Sequence, residues 1–187
     1  MATVSLPKRT ITAEEFLAMD LGEGSHELVR GEIVEVTPPK RPHGRTCANI
    51  TYHLEGYGRE SGYGYTLSND TGLITRRMPD TVRGADVIFF SHARLPLSAL
   101  ADESRQDAPD LVVEVVSPGN RAAEILEKVR EYLAFGVLMV WVVHPARRTV
   151  AVYRPDDPIP AVYKDVDIIE NLPELPGFRC AVADFFI

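Results

Sequence analysis

Two runs of apolar, mostly β-branched residues stand out along this chain. They are Leu111-Val112-Val113-Glu114-Val115-Val116 and Val137 to Val143. Runs of this length and composition predict buried strands. Between them Ala122, Ile125, Leu126, Val129 and Leu133 recur at helical spacing. That spacing predicts a helix capped by Asn120 and stopped by Gly136. Ala85-Asp86-Val87-Ile88-Phe89-Phe90 predicts a further strand, and Thr149 to Tyr153 one that pairs with the second run after a turn at Pro145-Ala146.

Earlier segments alternate more weakly. Thr12-Ala13-Glu14-Glu15 has the form of a capping box, predicting a helix to about Met19. His26–Val29 and Glu32–Thr37 predict a hairpin turning at Arg30-Gly31. Pro38, Pro39 and Pro42 predict a loop. Cys47, Ile50 and Leu54 predict a helix over 45–57 that ends where Gly56, Gly58, Gly62 and Gly64 cluster. Strands are expected over about 63–69 and 72–77, and a loop with a helical turn over 91–109. The order predicts one domain over residues 1–187 of α/β (α+β) class: a mixed sheet flanked by helices, with an N-terminal helix and β-hairpin.

Two of the apolar strands each carry one carboxylate, Asp86 and Glu114. An unpaired buried carboxylate costs several kcal/mol, so something must compensate it. If the strands are neighbours, the two acids face each other. A hard cation such as Mg²⁺ or Mn²⁺ suits such a pair, and it would polarise a phosphoryl oxygen and activate a bound water. Lys128 shares the border of the helix stripe with Ile125 and Tyr132. Its stem can carry an ammonium back toward the acids, to orient a water or stabilise charge on a phosphate.

Charge and cysteine content narrow the setting. The net charge is −7, which argues mildly against a dedicated nucleic-acid binder. Residues 37–94 nevertheless hold eight Lys/Arg against five Asp/Glu, while 151–187 hold three against seven. A local basic face is compatible with that split. Two cysteines without CxxC spacing fit a reducing compartment with free thiols. There is no secretory h-region, and the seven-residue run 137–143 is far short of a membrane span. The expected location is the cytoplasm, away from any membrane.

Several segments together resemble a known family. They are Thr12–Phe16, His26–Ile33, Ala85–Val87, Pro109–Pro118, Lys128–Tyr132, Gly136-Val137 and Trp141–Pro145. They look like the Uma2 family, part of the PD-(D/E)XK nuclease superfamily, over nearly the whole chain. The resemblance implies a restriction-endonuclease-like core. It also implies a metal held by Asp86, Glu114 and the backbone carbonyl of Val115. The superfamily's lysine position is Val116 here, and the resemblance moves its role to Lys128. Glu27 and His43 match further polar positions and are accessory candidates. Ala85 replaces a proline, while Met139 and His144 stand where the family often has Glu and Asp.

Other residues carry less. The five histidines show no metal-ligand spacing, so a zinc site is not expected, although His43 is placed to touch substrate. Ser117 lacks a nucleophile elbow and reads as a turn residue. No Walker A or GxGxxG pattern supports a nucleotide cofactor. Arg76, Arg77 and Arg83 flank the Asp86 strand and are candidates for substrate phosphate. The expectation is a metal-dependent endonuclease acting on DNA through Asp86, Glu114 and Lys128. Two alternatives stay open: a nuclease-fold binding or assembly protein without catalysis, for which a homodimer is one form, and a small-molecule phosphohydrolase.

Overall fold

In a computed structural model that describes residues 9–102 and 105–187, the chain opens with α1, Ala13–Leu17. Its capping box is complete. Thr12 Oγ1 accepts the Glu15 N–H, and the Glu15 carboxylate accepts the Thr12 N–H. The hairpin β1 (Ser25–Val29) and β2 (Glu32–Val36) follows. Arg30 and Gly31 both have positive φ, 52° and 79°, as a two-residue type I′ turn demands.

Helix α2 runs Arg41–Ser61, well beyond the expected 45–57. Pro42 lies in its first turn, where a missing N–H costs nothing. Gly56 and Gly58 stay helical instead of breaking it. A Cβ on Gly58 would lie 2.4 Å from the Gly64 carbonyl oxygen, so glycine there lets the helix approach the next strand. That strand, β3, spans Gly64–Arg76 as one irregular strand rather than two. β4 is Thr81–Ser91, and a short 3₁₀ turn at Leu97–Ala99 interrupts the following loop.

β5 is Leu111–Val115 and α3 is Ala122–Phe135. The N-cap is Arg121, not Asn120. Asn120 Oδ1 instead accepts the Ser117 N–H and closes the turn leaving β5. β6 (Met139–His144) runs parallel to β5, with α3 as the crossover such a pair needs. β7 (Thr149–Tyr153) and β8 (Ala161–Lys164) extend the sheet. In the tail, β9 (Ile168–Glu170) and β10 (Arg179–Ala181) pair separately, before a 3₁₀ turn at Val182–Phe186.

The eight-stranded sheet is ordered β2-β1-β4-β5-β6-β7-β8, with β3 also on β4. Only β5–β6 is parallel. One face packs Val113, Val115, Trp141 and Val143 against Ile50 and Leu54 of α2 and against Leu175, Phe178 and Phe185 of the tail. The other packs Val112, Val140 and Val142 against Ile125, Val129 and Tyr132 of α3. Among the described residues no helix is long and apolar enough to cross a membrane.

Candidate active site

β3 lies along one edge of β4. The other edge is divided. β1 meets it near its start, Leu28 opposite Val82, and β5 near its end, with Val87–Phe89 opposite Leu111–Val113. The sheet therefore forks over residues 83–86.

A bulge aims Asp86 into that fork. Thr71 pairs with Ala85 and Ser68 with Val87, so Asn69 and Asp70 both stand opposite Asp86. Both have positive φ, 67° and 54°. An extra residue bends a strand and redirects side chains. Here Ala85 joins the α3-side core while Val87 joins the α2-side core, so the alternation slips at Asp86. Asp86 Oδ2 accepts the Val115 N–H at 2.6 Å, tying β4 to the end of β5.

His43, in the first turn of α2, brings Nε2 to 3.2 Å from the same carboxylate. One turn later, Cys47 Sγ lies 3.5 Å from His43 Nδ1. A neutral imidazole with its proton on Nε2 satisfies both contacts, donating to Asp86 and accepting from the thiol. Burial disfavours the imidazolium, but the hydrogen bond and charge of Asp86 outweigh it and raise the His43 pKa. Burial, then the charge of Asp86, pushes the Cys47 thiol well up.

Glu114 is 4 % exposed. Tyr132 donates its hydroxyl to Glu114 Oε1 at 2.6 Å, and Lys128 donates to Oε2 at 3.3 Å. Burial pushes the carboxyl up to about 7. Lys128 opposes that rise and Asp86 adds to it. Lys128 also meets Glu27 Oε1 at 2.8 Å. Burial works against its charge, yet Glu114 and Glu27 hold its pKa above the ordinary value.

Glu27 in turn accepts the Gly84 N–H at 3.3 Å and Arg83 Nη1 at 2.9 Å. Arg83 is buried and grips Glu131 with two further bonds, of 2.7 and 3.0 Å. Asp70 shares the cleft, and burial followed by the charge of Asp86 raises its pKa. Five carboxylates (Glu27, Asp70, Asp86, Glu114 and Glu131) thus surround two cations, Arg83 and Lys128. The open part, about 100 Å³, is lined by Asp70, Asp86, Glu114, Val115 and Lys128 among others. Converging carboxylate oxygens with surplus negative charge are the donor set of a hard divalent cation.

Asp86, Glu114, Val115, Lys128, Glu27 and His43 therefore meet in one place. None of the three arginines expected at phosphate is left open to one here: Arg83 sits in this cluster but is taken up by its acids, and the other two lie outside it. Arg83 is committed to Glu27 and Glu131, Arg77 pairs with Glu14 and Asp80, and Arg76 lies exposed at the end of β3. Folding also brings possible ligand atoms together that the spacing of the histidines along the chain does not show. His43, Cys47 and Asp86 each place one ligand atom within 4.8 Å of the others. His43 and Cys47 are four apart, but the helix carrying them begins earlier than expected. Asp70 and Glu131 went unread, although Asn69-Asp70 inside a strand is a bulge signal.

The two departures also have places. Met139 is buried in the α2-side core, where Trp141 Nε1 donates to its sulfur at 3.3 Å. It lies on the face opposite the Glu114 and Tyr132 side chains. His144 ends β6 and lines a neighbouring cleft.

Comparison with known proteins gives a family and a fold. Residues 13–183 match the Uma2 family, described as "Putative restriction endonuclease". The fold is similar to the crystal structure of "a putative nuclease belonging to DUF820" from Anabaena variabilis. That likeness has a TM-score of 0.77 at 20% identity and covers 94% of this chain and 97% of the other. No curated protein matches the chain.

Proposed function

The chain belongs to the Uma2 family, and we propose that it is a divalent-metal-dependent endonuclease acting on DNA in the cytoplasm. One observation carries this reading: the buried Glu114 shares a cleft with Asp86 and Lys128, where carboxylates outnumber cations. Asp86, Glu114 and the Val115 carbonyl would hold Mg²⁺ or Mn²⁺. When bound, the ion supplies Lewis-acid polarisation of the phosphate and a more acidic water.

The chain's own groups do the rest. Lys128, fixed between Glu27 and Glu114, presents an ammonium that can orient a water or stabilise charge growing on phosphate oxygens. Tyr132 holds one oxygen of Glu114 and so sets its orientation. His43 positions Asp86 from α2, and the Val115 N–H does so from β5. Arg83 holds Glu27, which in turn holds Lys128.

Metal-dependent nicking of supercoiled plasmid tests the reading. Nicking should require Mg²⁺ or Mn²⁺. Asp86→Asn, Glu114→Gln and Lys128→Ala should each lower the rate by about 100-fold or more. Full activity in all three variants would sink the assignment. Hydrolysis of mononucleotides without nicking would replace it with a small-molecule phosphohydrolase.

A further inference from the structure

A second cleft, of about 660 Å³, opens beside the active site, and His43, Ser117 and Asn120 line both. Its position follows from the topology. β5 and β6 are parallel, so the loop leaving one (116–120) and the turn leaving the other (144–147) emerge side by side. Crevices at the carboxyl ends of parallel strands are where α/β sheets receive ligands. The start of α3 and the end of β7 complete the walls.

The lining differs from the carboxylate cluster next to it. Pro118, Pro145, Leu126 and Tyr153 give flat or apolar surface, and Leu126 is 38 % exposed although it is a large hydrophobe. Among the described residues no Asp or Glu lines this cleft, in a chain of net charge −7. Lys40 and Arg147 are its charged residues. Burial, then the charge of Arg147, lowers the His144 pKa, which leaves a neutral imidazole able to donate or accept at neutral pH. The volume lies within the ~300–1,000 Å³ of small-ligand sites. Flat apolar walls, two cations and the hydrogen-bonding imidazole of His144 suit a nucleobase joined to a phosphate.

Resting on the nuclease reading, we infer that this cleft receives the nucleoside next to the scissile phosphate, so that an unpaired base is part of what the enzyme recognises. A base stacked in a duplex cannot enter, so single-stranded or mismatched DNA is the preferred substrate. This makes His144 a residue of the base site.

The test compares deoxyadenosine 5′-monophosphate with deoxyribose 5-phosphate, which lacks the base. Binding to the full chain in Mg²⁺ is followed by calorimetry. The nucleotide should bind about tenfold tighter or better. Leu126→Trp, which fills the cleft, should abolish that difference and leave the sugar phosphate unchanged. Arg147→Glu, on an exposed turn, should weaken the nucleotide about threefold or more. Equal affinity for the two probes overturns the inference, as does a base-dependent difference that survives both substitutions. Base-dependent binding without metal-dependent cleavage of either plasmid or single-stranded DNA removes the nuclease reading and leaves the cleft assignment standing. Nicking with equal probe affinities does the reverse.

Discussion

The two faces of the central sheet are built from the same strands and carry opposite chemistry. On the α2 side Val113, Val115, Trp141 and Val143 pack against Ile50 and Leu54 of the helix and Leu175, Phe178 and Phe185 of the tail. On the α3 side the apolar packing of Val112, Val140 and Val142 gives way to Glu114, Lys128, Tyr132 and the Arg83–Glu27–Glu131 set. One face gains stability from burial. The other gives up part of that gain to hold charge where water is scarce. The contrast marks the candidate site, because groups with strongly perturbed charge cluster at functional sites.

The largest expected effect lies on the apolar face. Trp141→Ala should cost about 3–5 kcal/mol in urea unfolding, because a fully buried ring leaves a cavity. A loss below 1 kcal/mol would mean that this face is not the main store of stability. Next comes the charged face. Arg83→Met takes from Glu131 its cation, leaves Glu27 with Lys128 alone and should cost about 3 kcal/mol. It should also lower nicking by releasing Lys128 from its fixed position. Thermal unfolding checks the first effect and plasmid assays the second.

The smallest effect has the opposite sign and is the sharpest discriminator. The Glu114 carboxyl is raised from 4.5 to about 7, so the folded chain binds this proton more tightly than the unfolded one. Its contribution to stability is complete below 4.5 and is lost as pH rises through 7. Glu114→Gln keeps a neutral group there at every pH. It should raise stability at pH 8 by about 2 kcal/mol and remove this share of the pH dependence between 4.5 and 7. A variant less stable at pH 8 would show that the ionised form is not a burden on the fold.

The apolar face was largely readable in the residue pattern, because runs such as 111–116 and 137–143 have one physical solution, a buried strand. The helix stripe Ile125–Val129 was equally plain, and so was the combination of Asp86, Glu114 and Lys128. What escaped depended on contacts between distant segments. Gly58 reads as a helix breaker until Gly64 is seen against it. Arg83 reads as an exposed phosphate ligand until Glu27 and Glu131, 56 and 48 residues away, close around it. The tail strands β8–β10 are short and charged, so their pattern gave no period to follow. Cys47 and His43 became neighbours of Asp86 only through a helix that starts inside a proline-rich stretch.

The Asn69-Asp70 bulge has a consequence for how this chain tolerates change. Removing either residue would not merely shorten a strand. With one residue again opposite one, the regular alternation of β3 and β4 would be restored, and the Asp86 carboxylate would turn away from the fork. A single deletion in β3 would then act like a substitution of Asp86 itself. Changes of length there are expected to act directly on the Asp86 carboxylate, whereas Asp156 and Asp157 lie on an exposed turn between β7 and β8.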